Sequence, residues 1–115
     1  MSGRIEKINS LIKVELAKII QRADIFPPGV MVTVMNVKTS IDIKHATVSV
    51  DAIPQAMIGQ VLKILGKNIY HLQQELNRKI IMRYVPKIRF IHDQGQAQAE
   101  RIESILKEIK NKGNV

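Results

Sequence analysis

The chain has 115 residues, 45% of them hydrophobic and nearly all aliphatic, with two Phe, two Tyr and neither Trp nor Cys. A chain of that length buries roughly two thirds of the surface its unfolded form exposes, so one aliphatic core is expected and intrinsic disorder, disulfides and thiolate chemistry are excluded. Eighteen Lys and Arg against ten Asp and Glu leave a formal net charge of +8, which makes polyanions the natural partners.

Residues 4–23 place Ile5, Ile8, Ile12, Leu16, Ile19, Ile20 and Ala23 at spacings of three and four, with charged residues between them, which predicts one amphipathic helix. The opening Met1-Ser2-Gly3-Arg4 runs straight into that helix without an apolar export or acid-poor transit segment, so a cytoplasmic protein is expected. No stretch is long and apolar enough to span a bilayer. Pro27-Pro28-Gly29 ends the helical pattern, because proline removes a donor and clashes with the preceding turn.

From Val30 to Val37 the run is β-branched and Met-rich, apolar on both faces, and reads as a buried strand in which Met31 and Met35 fill the core. His45 to Ala52 alternate, with Ala46, Val48, Val50 and Ala52 on one face and Thr47, Ser49 and Asp51 on the other. That is a half-buried strand, antiparallel to the first through a short hairpin. Pro54 suits the first turn of a second helix, whose apolar face is Met57, Ile58, Val61, Leu62 and Leu65. Gly66 interrupts it, and Ile69, Leu72, Leu76 and Ile80 restart the stripe, predicting two helices that meet at a bend around Gly66. Pro86 closes the second of these helices, and Lys87 to Asp93 form a third strand with Ile88 and Phe90 facing inward. Asp93 and Gln96 stand at capping-box spacing before a last helix carrying Ile102, Ile105, Leu106 and Ile109, and residues 111–115 form a short flexible basic tail. Residues 1–110 therefore make a single two-layer α+β domain, with helices covering a three-stranded sheet.

The inventory for catalysis is poor. His45, His71 and His92 share no ligand spacing; His71 and Glu75 form the best two-ligand metal pair, four apart on a helix, and are read as a solvated ion pair. No glycine-rich loop precedes a helix to cradle a nucleotide, and no metal or cofactor is expected. A non-enzyme is the reading.

Charge is placed unevenly. Between Lys63 and Arg89 lie seven basic residues and one acid, Glu75, a net of +6 in a quarter of the chain. Lys63, Lys67, Asn68, His71, Arg78, Lys79, Arg83, Lys87 and Arg89 are the candidate RNA contacts, with Lys67, His71, Gln74 and Arg78 expected as one row opposite the apolar stripe. Only Tyr70 and Tyr84 are plausible base-stacking rings, too few for a sheet surface that stacks bases. The alternative is a DNA-binding helix-turn-helix over Met57 to Leu76, with Lys67, Asn68 and His71 reading base edges.

Two segments carry a family resemblance. The stretch from Val34 through Ser40-Ile41-Asp42-Ile43 to Ala46-Thr47-Val48-Ser49-Val50 resembles the hairpin of ribosome-binding factor A. Met82-Arg83-Tyr84-Val85-Pro86-Lys87-Ile88-Arg89-Phe90-Ile91-His92-Asp93 is similar to that family's Leu-Arg-x-x-Pro-x-Leu-x-Phe-x-x-Asp segment, and Leu62, Leu65, Gly66 and Ile69 to its kinked helix pair. The resemblance implies a type II KH-like fold with a kinked Ala-x-Gly in place of the usual GxxG loop. This chain has Ile64-Leu65-Gly66 there, with Tyr70 where the family commonly has Arg and Gly95 where a Ser-like cap is usual. It also implies a cytoplasmic monomer that binds the immature small ribosomal subunit and its rRNA, aids late maturation and 5′-end processing of that rRNA, matters most in the cold, and works beside other assembly factors such as GTPases.

Overall fold

The computed structural model describes residues 2–92; the predicted Asp93–Gln96 capping box, the last helix and the tail at 111–115 lie outside the described residues. The order is helix α1 (Ser2–Ala23), strands β1 (Met31–Thr39) and β2 (His45–Ile53), a 3-10 turn (Gln55–Met57), helices α2 (Ile58–Lys67) and α3 (Ile69–Lys79), and strand β3 (Lys87–His92). The sheet order is β1-β2-β3, with β1 antiparallel and β3 parallel to the central β2. A parallel neighbour cannot be reached by a tight turn, and α2 and α3 form the crossover that takes the chain back to the start of β2.

The helices pack on one face of the sheet. Ala46, Val48, Val50 and Ala52 of β2 have no exposed surface and meet Ile12, Leu16 and Ile19 of α1, Val61 and Leu65 of α2, and Leu72 and Leu76 of α3 in one aliphatic core. The apolar positions spaced along the helices are therefore the buried ones, as their periodicity requires. The apolar faces expected on these three helices, the hairpin and the third strand all appear.

Strand β1 departs from its expected form. It is an edge strand, and Met31 and Met35 are exposed rather than core residues. Its inward residues are Val32 and Val34, then Val37 and Thr39, a pattern that changes phase midway. Strict alternation from Val34 would turn Asn36 and Lys38 into the core; the register shift between Val34 and Asn36 inserts Met35 as an extra residue and restores Val37 opposite Val48. The single buried polar group on this strand's inner face, Thr39, is satisfied by α1: its backbone N–H donates to Asn9 Oδ1 at 2.9 Å, and its hydroxyl donates to the same oxygen.

The connection between α2 and α3 also differs in place. The bend expected around Gly66 lies two residues on, at Asn68, because α2 continues through Gly66 to Lys67. Asn68 leaves helical geometry with φ −102° and ψ 10°, and its side-chain amide donates at 2.8 Å to the Ile64 carbonyl, which also accepts the Asn68 backbone N–H at 3.1 Å. Gly66 is exposed, and a Cβ added there meets nothing within 4 Å, so no close helix approach requires it. Pro54 likewise sits one residue ahead of the 3-10 turn rather than inside the first turn of α2, after a cis Ile53–Pro54 bond.

Two stability changes follow from these contacts. Asn9→Ala removes the acceptor for both Thr39 donors and is expected to cost about 1–3 kcal/mol, read as a lower urea midpoint at unchanged slope. Gly66→Ala replaces a helical glycine in open space and is expected to stabilise by about 0.5–1 kcal/mol in the same measurement; a loss of stability would show that the helix pair needs glycine there.

Candidate nucleic-acid interface

The parallel register of β3 decides where its charges point. His45 pairs with Lys87, Thr47 with Arg89, and on the other side Lys38 pairs with Thr47. Since Ala46, Val48, Ile88 and Val37 turn inward, Lys38, His45, Thr47, Lys87 and Arg89 point to the face away from the helices α1 to α3. Lys38 and Arg89 therefore flank Thr47 across the whole sheet, about 10 Å apart, with His45 and Lys87 in the next row. Lys38, His45, Lys87 and Arg89 are all exposed.

That basic end of the sheet continues into an open groove of about 810 Å³, lined by Arg4, the hairpin residues Asp42 to His45, and Met82 to Val85 with Lys87. Two local devices build the groove. The first is the hairpin turn: Ser40 N–H donates to the His45 carbonyl, His45 N–H donates to Ser40 Oγ, and Ser40 Oγ–H donates to Asp42 Oδ1 at 2.6 Å. The Lys44 N–H donates to the same carboxylate oxygen at 3.1 Å. These bonds hold Ile43 at φ 58°, a left-handed conformation that a β-branched residue adopts only under constraint. The second device is the anchoring of β3: Lys87 N–H donates to the Lys44 carbonyl, Ile88 N–H donates to Gln73 Oε1 at 2.9 Å, and Gln73 Nε2 donates to the Pro86 carbonyl at 3.1 Å. The Gln73 amide thus completes the edge of the strand as a neighbouring backbone would.

The nine residues proposed from sequence fall on separate parts of this body. Arg83, Lys87 and Arg89 join the groove and the basic sheet end. Lys63 and Lys67 lie one turn apart on α2, beside a shallow hollow with Gly59, Gln60 and Ile64. Arg78 and Lys79 occupy the last turn of α3, where a cation also offsets the negative end of the helix dipole. The expected row from Lys67 to Arg78 is interrupted, because Lys67 ends α2 on the far side of the Asn68 break. Asn68 has its amide engaged in that break, and His71 Nε2 lies 3.5 Å from Glu75 Oε2, the solvated helical pair. Among the described residues no group of three His, Cys, Asp or Glu is placed to hold a metal ion, and no helix is long and apolar enough to cross a membrane.

Arg4, Lys38, Lys44 and His45 belong to the basic surface and were missed by the window from Lys63 to Arg89. The alternation of His45 to Ala52 was signal enough for His45; Arg4 and Lys44 come near Lys87 only through folding. The helix-turn-helix alternative does not fit, since that motif needs a turn of three or four residues and here Asn68 alone separates α2 from α3.

The model of the family described as ribosome-binding factor A matches residues 4–106. This chain belongs to that family. Ribosome-binding factor A of Zymomonas mobilis is 33% identical over 104 residues, covering 88% of this chain and 74% of that one. The Akkermansia muciniphila protein of the same name is 30% identical, covering 95% and 86%. The crystal structure of ribosome-binding factor A from Thermus thermophilus superposes with a TM-score of 0.68 at 25% identity, over 79% of this chain and 98% of that one. A further model of the Thermus thermophilus factor, fitted into an electron cryo-microscopy map of its complex with the 30S subunit, superposes at 0.64 with 27% identity, covering 76% and 92%. The family assignment and the α+β, KH-like fold with a three-stranded sheet agree with what the sequence implied, and the parallel β3 that makes the sheet mixed is added by the structure.

The Asp42 carboxyl is held below the ordinary carboxylate range, first by the Ser40 hydroxyl and then by the Lys44 backbone N–H. A depressed folded value means that the ionised turn is favoured above the ordinary range and loses that preference as pH falls through the folded value. Ser40→Ala is expected to move the Asp42 titration midpoint upward toward an ordinary aspartate, as followed by carboxyl-carbon NMR; an unchanged midpoint would remove the hydroxyl from the account.

Proposed function

We propose that this chain binds the small ribosomal subunit during its assembly, acting in the cytoplasm as a monomeric, non-catalytic factor. The observation that carries this reading is the family match over nearly the whole chain. The model of the Thermus thermophilus factor fitted to the 30S complex supplies the class of partner. The basic sheet end and groove supply a surface suited to it: Arg4, Lys44, Arg83 and Lys87 line the groove with Asp42 as the one acid among its described residues, and Lys38 and Arg89 flank Thr47 on the sheet. An rRNA backbone is the polyanion such a surface fits.

The work done is a change in RNA populations rather than a reaction. A protein that binds one arrangement of the immature rRNA more tightly than another shifts the particle toward it by the difference in affinity, and late maturation and 5′-end processing would proceed from the favoured arrangement. Residues 1–110 are proposed as the domain that does this, with other assembly factors, GTPases among them, acting on the same particle. Release follows if the mature subunit no longer offers the favoured arrangement.

In sucrose gradients of a lysate, the full chain is expected to migrate with free small subunits and not with large subunits or whole ribosomes. Equal affinity for mature and immature small subunits would remove the population-shift mechanism. With about six phosphate contacts, the log–log slope of affinity against salt is expected near minus four, and Lys38→Ala or Arg89→Ala should each reduce it by about 0.7.

A further inference from the structure

The groove beside the basic sheet end has a feature that phosphate binding alone does not use. Tyr84 lines it and is 74% exposed, although a tyrosine ring gains from burial. The Arg83 guanidinium carbon lies 5.7 Å from the centroid of that ring, within the range of a cation–π contact, so a charged plane covers one side of the ring and leaves the remainder to solvent. Ile43, Met82 and Val85 give the groove apolar walls, while Arg4, Lys44 and Lys87 stand around it. The one acid among the described lining residues, Asp42, accepts Ser40 Oγ–H and Lys44 N–H at its Oδ1 and is outnumbered by the cations around it.

We propose that this groove holds an unpaired nucleotide of single-stranded RNA, with the base stacked on Tyr84 and the flanking phosphates held by Arg4, Lys44 and Lys87. This deepens the ribosome-docking reading and rests on it. An exposed ring beside apolar walls suits a base π-face, and the surrounding cations suit its backbone; a duplex, whose bases show only their edges, leaves the ring unused. The groove volume lies within the range of sites that enclose a small organic ligand, enough for a base and its sugar. Tyr70, equally exposed on α3, has no such setting: the residues that line the groove do not include it.

The chain has no Trp and only two Tyr, so in a Tyr70→Phe background Tyr84 is the sole emitter. A short single-stranded oligoadenylate is expected to quench that emission as it binds, and a duplex of the same length to quench it far less. By fluorescence anisotropy, Tyr84→Ala and Tyr84→Leu should weaken oligoadenylate binding about 5- to 100-fold, whereas Tyr84→Phe and Tyr70→Ala should leave it within about twofold. Because Tyr84 is exposed, these variants are expected to keep the wild-type circular dichroism spectrum. Unquenched emission, or a Tyr84→Ala protein that binds oligoadenylate as wild type does, overturns the stacking site even while the wild-type protein still sediments with small subunits. If the wild-type protein fails to sediment with them, the docking reading falls and the stacking site falls with it.

Discussion

The structure turns on the parallel docking of β3 beside β2. One strand edge must be brought back across two helices and set in register, and the chain does so with polar contacts at the start of the strand. Lys44 offers its carbonyl to Lys87, and the Gln73 amide pairs with both Pro86 and Ile88. Because side chains alternate along a strand, this register sends Ile88 and Phe90 toward the helices and Lys87 and Arg89 to the opposite face. A slip of one residue would put two cations in the aliphatic core, so the interactions that stabilise the fold also set the position of the basic surface.

The hairpin and the strand start meet at one place. The Ser40–Asp42 turn orients Lys44 and His45, the Lys44 carbonyl receives Lys87, and the segment before Pro86 brings Arg83 and Tyr84 to the same groove. The two sequence segments that carry the family resemblance are thus the two sides of this groove. Their residues lie far apart in the chain yet meet on one surface.

The other cations between Lys63 and Arg89 lie elsewhere on the body. Arg78 and Lys79 complement a helix terminus, His71 pairs with Glu75, and Lys63 with Lys67 forms a local basic strip on α2. A dense run of cations in sequence therefore overstates the size of any one surface. Three of the proposed contacts reached the groove and sheet end, and Arg4, Lys38, Lys44 and His45 joined them from elsewhere.

From its sequence alone the chain determined its elements and their buried faces: the stripe of Ile8, Ile12, Leu16 and Ile19 and the alternation from Ala46 to Ala52 are local patterns, and local sterics and periodicity suffice to read them, whereas α3 ends at Lys79, where Ile80 turns extended and buried, and not at the Pro86 expected to close it. Three features required the tertiary structure. Met31 is exposed because α1 to α3 cover only the opposite face of the sheet, and Met35 because the bulge sets it outside the inward alternation, and neither is written in any one segment. The helix break sits at Asn68 rather than Gly66: α2 runs on through Gly66 to Lys67, and Asn68 ends it with both its backbone and its side-chain N–H on the Ile64 carbonyl. The surface that gathers Arg4, Lys44 and Arg83 exists only once β3 has returned to β2, since solvent-facing cations leave no periodic signal to show which of them will become neighbours.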